Sequence, residues 1–200
     1  CNPCYSLIMP VTINGNGTIT GISAGGLPDG CITADDLASG AGGKILQFIS
    51  TTKTDQFSST STSMVDVTGI TATITPTSSS NKIFIATTLS VSHSSGAYPA
   101  FNLLRDSTHI AVPTGNALWT GSGRNTSFGP IGALDSYKIE MVAFTFLDEP
   151  ADTNAHTYKL QVGLGTSSKT LHLNKPISGD TSYTYPANGV STFTVMEVAG

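Results

Sequence analysis

The chain has 200 residues, of which 11% are charged, and a formal net charge of −4; an average soluble domain carries about 25% charged residues. That length supports one large or two small domains with a real core, since roughly 70% of the unfolded surface is buried at this size. The balance offers no basic stripe for phosphates, which excludes a nucleic-acid binder, and no apolar run approaches the roughly 18 residues of a membrane-spanning helix.

With so little charge, the surface must be covered mainly by Ser, Thr, Asn and Gly, a habit of extracellular or assembled proteins. The chain opens on Cys1 and Cys4, a C-x-x-C, and Cys31 is the third cysteine. A redox pair needs a strand before it and a helix after it, and a structural zinc needs further ligands at close spacing. Neither is supplied, so the reading is a loose terminus with adventitious thiols and no metal or cofactor. The odd count leaves room for one intermolecular disulfide. No signal peptide is visible; a mature bacterial lipoprotein also begins with cysteine.

From Val11 to Gly30 the chain reads "VTINGNGTITGISAGGLPDG". Its apolar residues, with the next one along, are Val11, Ile13, Ile19, Ile22, Leu27 and Ile32. They are too few to build a core, and short strands joined at Asn14-Gly15 and Asn16-Gly17 do not stand alone in water. They need a partner surface: the main domain, copies of themselves, or another protein. Association around a threefold axis would bury the isoleucines and use glycines where chains approach closely. Next, "TADDLASGA" predicts a short helix, with Thr33 as N-cap, Asp35 and Asp36 favourable in the first turn, and Gly40 as the stop. "SGAGGK" lacks the first glycine and the hydroxyl residue of a phosphate loop, and a strand follows it. It reads as a hinge. The expected division is residues 1–43 as an attachment or trimerisation segment and 44–200 as a β-domain.

Beyond the hinge come strand-like runs at Ile45–Ser50, Ser63–Val67, Ile70–Thr75, Lys82–Ser92, Ala100–Arg105, His109–Val112, Lys138–Leu147, Thr157–Gly165, Thr170–Asn174 and Ser191–Val198. Clusters of Ser, Thr, Gly, Pro and Asn separate them as turns. "KIFIATTLSVS" places Ile83, Ile85, Thr87, Leu89 and Val91 on one face, and period-two alternation means one face on a core. "YKIEMVAFTFLDE" places Ile139, Met141, Ala143, Thr145 and Leu147 on one face and Val142, Phe144 and Phe146 on the other. A strand apolar on both faces needs cover on both. One cover is the core; the other is a neighbouring subunit at Phe144 and Phe146, or a long loop. Many strands with almost no helix predict an all-β, antiparallel, jelly-roll-like β-sandwich. An immunoglobulin-like sandwich is the alternative, although the buried Cys-Trp-Cys set is missing.

Chemistry-bearing residues do not assemble into a catalytic pattern. His93, His109, His156 and His172 show none of the close pairing of metal sites and read as exposed strand or loop positions. No Gly-x-Ser-x-Gly elbow supports a serine nucleophile. Asp148 and Glu149 are adjacent on a strand and point to opposite faces, so they do not share a glycosidic bond. Asn16-Gly17-Thr18 and Asn125-Thr126-Ser127 match the glycosylation acceptor, which matters only in a eukaryotic secretory pathway. The turn aromatics Tyr98, Trp119, Phe128, Tyr183 and Tyr185 either stack on sugars or cover the ends of the sandwich.

"TINGNGTITGISAGGLPDGCITADDLASGAGGKILQ" resembles the segment that leads into the C-terminal domain of bacteriophage tail-fibre and other virion fibre proteins. The similarity continues through "STTKTDQFSSTSTSMVDVTGITATITPTSSSNKIFI" and returns in "STFTVMEVAG". It runs from about Thr12 to Ile85 and again at the C-terminus; the stretch from Ser92 to Gly189 is not matched as specifically. The resemblance implies a non-enzymatic virion structural protein, a homotrimer whose N-terminal segment attaches to the particle and whose β-domain points outward. Only a short segment precedes the globular part, which favours a short fibre or a capsid decoration protein over a long fibre. A receptor-binding tip that recognises host glycans, or a bacterial surface adhesin, is the alternative.

Overall fold

The computed structural model describes residues 12–13, 19–20, 44–113, 127–129, 138–178 and 188–200. The chain divides into two units, Cys1–Gly43 and Lys44–Gly200. In the first, β1 (Thr12–Ile13) and β2 (Ile19–Thr20) pair antiparallel, with Thr12 opposite Thr20 and Ile13 opposite Ile19. The expected helix at "TADDLASGA" lies outside the described residues.

The second unit is an all-β sandwich, and no helix occurs among its described residues. Its strands are β3 (Ile45–Lys53), β4 (Phe57–Ser59), β5 (Val65–Ile74), β6 (Lys82–His93), β7 (Pro99–Arg105), β8 (Thr108–Ile110), β9 (Glu140–Asp148), β10 (His156–Leu164), β11 (Leu171–Leu173) and β12 (Ser191–Val198). One sheet has four strands in the order β5-β10-β7-β8; the other has six, in the order β3-β12-β6-β11-β4, with β9 also paired to β6. All the pairings are antiparallel. Leaving aside short β4 and β11, the pairing is nested: β3 with β12, β5 with β10, β6 with β9, β7 with β8. A chain folded back on itself and then rolled pairs in this way, and the result is a jelly roll.

Alternation explains the core. The face of β6 expected to be buried, Ile83, Ile85, Thr87, Leu89 and Val91, lies between the sheets. Phe193 and Val195 of β12 join it from the same sheet, and Phe101, Leu103, Tyr158, Leu160 and Val162 face it from the other. Each such side chain contributes on the order of 1.5–3 kcal/mol relative to an exposed one.

Two details differ from the sequence reading. The runs at Ser63–Val67 and Ile70–Thr75 belong largely to one strand, β5. Gly69 sits inside it with φ +80°, a conformation that L side chains avoid. Thr71 pairs with Lys159 and Asp66 with Gln161, so β5 carries extra residues there as a bulge. β4 was not expected; its three residues are too few to show a period.

The histidine reading needs correction. His93 and His156 are buried and His172 is half-buried, not exposed. His93 ends β6 beside β11, and His156 begins β10 between two carboxylates, so distant chain segments cover both.

Candidate assembly surface

The sheet β3-β12-β6-β9 has one face on the core and one facing away. Its register aligns the outward side chains in rows across all four strands. Phe48 lies opposite Met196, Met196 opposite Phe84, and Phe84 opposite Leu147. The next row is Ser50, Thr194, Ala86 and Thr145, and the one after it Thr52, Thr192, Thr88 and Ala143. No side chain in these three rows is charged. Phe48 is 63% exposed and Leu147 46%, while Met196 and Phe84 between them are half-buried. Ser50 Oγ and Thr194 Oγ1 share a hydrogen bond of 2.8 Å in the polar rows. Charge begins only at the end of the sheet, where Lys82 Nζ donates to Glu149 Oε1 at 2.5 Å. The outward face of an antiparallel sheet is ordinarily polar, which makes the aromatic and aliphatic row the feature that requires explanation.

Phe144 and Phe146, expected at a subunit contact, are half-buried against the core of their own sandwich. The other face of β9 is the outward one, with Met141 71% exposed. Phe128 stacks on two rings of its own unit, Phe101 at 4.9 Å and 6° and Phe144 at 4.8 Å and 17°. Tyr98 is 56% exposed, with φ +48°, in the connection between β6 and β7. Trp119, Tyr183 and Tyr185 lie outside the described residues, as do Val11, Ile22, Leu27 and Ile32. Ile13 and Ile19 are register partners across β1 and β2. Phe48, Phe84 and Met196 were not singled out. Their signal was present: each stands on the non-core face of an alternating strand, where small polar residues otherwise prevail.

The buried polar groups are tied to one another. Arg105 Nη1 and Tyr158 Oη both donate to Asp148 Oδ2, at 2.6 and 2.7 Å, so β7, β9 and β10 are joined at one end. Burial and the neighbouring Asp148 push the Tyr158 phenol far above its ordinary range, and it stays a donor. Glu149, next to Asp148, points the other way, as alternation requires. Glu197 of β12 is fully buried and accepts from Gln47 Nε2 (2.6 Å), Thr77 N (2.6 Å), Thr77 Oγ1 (2.7 Å) and Asn81 Nδ2 (2.7 Å). Burial opposes its charge, but these donors outweigh burial and hold its pKa below the ordinary value. His156 sits between Asp106 (2.8 Å) and Asp152 (3.0 Å). Burial again opposes the charge, and the two carboxylates outweigh it, so the imidazolium persists above its usual 6.5. Among the described residues, no group of three or more His, Cys, Asp or Glu could hold a metal ion. These clusters join strands to strands.

No family model and no curated protein matches the chain. Among solved structures, 76% of the chain aligns with a chain in the structure of the Gx strain of infectious bursal disease virus, at 16% identity and a TM-score of 0.39. The aligned part spans 36% of that viral chain.

Proposed function

We propose that the chain is a non-enzymatic structural protein of a bacteriophage virion. In this reading it is a homotrimeric short fibre or capsid decoration protein, anchored by residues 1–43, with the jelly roll exposed on the particle. The observation that carries the reading is a junction. The phrase that resembles virion fibre proteins ends in "GKILQ", and Ile45 of that phrase is the first residue of β3, where the sandwich begins. The segment before it has too few apolar residues for a core, which suits an element that folds against a partner. Jelly rolls recur in viral capsid and lectin domains, so the fold is compatible with the role without specifying it. The uses of the buried charges support a scaffold: Asp148, Glu197 and His156 are all engaged in holding strands together.

The test is immunogold labelling with antibodies to the full chain, on cells and particles from a culture that encodes it. Gold on phage particles, at capsid or tail, is expected and also separates decoration protein from fibre. Gold confined to the bacterial envelope overturns the reading in favour of a surface adhesin.

A further inference from the structure

We infer that the outward face of the β3-β12-β6-β9 sheet is the surface on which copies of this chain associate. The inference deepens the assembly reading above and rests on its premise that the chain acts as an oligomer, but not on where the oligomer resides.

The apolar row is continuous. Phe48, Met196, Phe84 and Leu147 are neighbours in register on four consecutive strands, so the row runs about 15 Å across the sheet at the usual strand spacing. Its two ends are the more exposed members, Phe48 and Leu147. A scattered exposed residue needs no explanation, whereas a contiguous apolar band rimmed by polar residues marks an interaction site.

The charge of the face selects the partner. The chain carries a net charge of −4, so two copies repel in general, yet the three rows of this face hold no charge. A copy can approach there without opposing like charge. The face offers nothing to attract a basic or acidic partner, nor any charged group for a phosphate or a lipid headgroup. What it does offer is hydroxyls, at Ser50 and Thr52 among others, and a hydroxyl both donates and accepts. A band of hydroxyls is therefore complementary to another copy of itself. A donor-only or acceptor-only surface is not.

The size of the face bears on the contact as well. The four strands and their three outward rows span roughly 20 by 20 Å, a footprint of about 400 Å², so the face supplies the centre of an interface of the standard ~800 Å² per partner and its rim completes it. Around a threefold axis the contact is head-to-tail: the Phe48 edge of one face meets the Leu147 edge of the next, and the ring closes at three copies.

The experiment uses the full chain. Solution mass is measured by light scattering for the wild type, Phe48→Lys, Leu147→Lys and Tyr98→Lys, with the thermal midpoint of each. Phe48 and Leu147 point away from the core, so a lysine there leaves the sandwich intact. The wild type is expected as a trimer. Phe48→Lys and Leu147→Lys are expected as monomers, an about threefold fall in mass, with the dissociation constant raised at least about 30-fold as for loss of an apolar anchor. Tyr98→Lys, exposed but on a different part of the fold, stays a trimer. If Phe48→Lys does not fold, Leu147→Lys reads the same face. A wild-type monomer overturns the inference and leaves the face to the chain's own N-terminal segment. Trimers that persist in both sheet variants overturn it while leaving the virion reading intact. Dissociation in Tyr98→Lys as well overturns the assignment to this face. Conversely, gold absent from particles with a trimer that depends on Phe48 sinks the virion reading alone.

Discussion

His156 shows how a single residue escapes local reading. "DTNAHT" looks like a polar turn, and a histidine in it looks exposed. The ring is buried because Asp106, from the turn between β7 and β8, closes on Nδ1 while Asp152 holds Nε2. No local pattern announces a contact between residues so far apart in the chain. The arrangement has a pH signature. The folded pKa of His156 is raised above 6.5, so its contribution to stability is fully present below 6.5 and is lost as pH rises through the folded value. Both carboxylates are partly exposed, and solvent screening holds the contribution to about 1 kcal/mol or less. The unfolding free energy of the wild type is therefore expected to fall between pH 6 and pH 8 more steeply than that of His156→Gln. Parallel profiles for the two proteins would sink this assignment.

At the scale of elements, alternation was legible and its interruptions were not. β6 and β12 read directly from period two, since each has one face mainly of Ile, Leu, Val or Phe and one mainly of small polar residues, interrupted by Phe84 in β6 and Met196 in β12. In β9 both faces are apolar, so local sequence left open which would face the core. Packing chose Val142, Phe144 and Phe146, because Phe128 and Phe101 stack on that side. Gly69 looked like the end of a strand and is instead a bulge within one. Its φ of +80° excludes ordinary side chains, and a Cβ there would come within 3.3 Å of Lys53 Nζ. Lys53 is itself buried, with its ammonium on Asp55 at 2.7 Å. Gly69→Val should lower stability by about 1–3 kcal/mol, read as a lower urea midpoint at unchanged slope. An unchanged midpoint would mean that the bulge tolerates a β-branched residue and that the strain argument is wrong.

For the whole β-unit, nested pairing gives β12 a central place. β12 lies between β3 and β6, so the last strand completes the larger sheet. Glu197 fastens it by accepting from β3 and from the connection between β5 and β6. Without β12, Gln47, Thr77 and Asn81 lose their common acceptor, Phe193 and Val195 leave the core, and two strand edges open. A chain ending at residue 190 should show no cooperative thermal transition by circular dichroism. A sigmoidal transition in that chain would show that the sandwich closes without its last strand. Most pairings join residues distant in sequence, which places folding toward the slow end for a domain of this size.

The sequence by itself determined the all-β class, the scarcity of charge and the core faces of β6 and β12. Those properties follow from composition and from period-two alternation, which are local and survive without knowledge of neighbours. Only the tertiary structure decided which strands pair, that His156 and Glu197 lie buried among distant partners, and that Phe48, Met196, Phe84 and Leu147 fall into one row. Register is a relation between strands far apart in the chain, and shifting any one of them by a single residue would send its side chains to the opposite face.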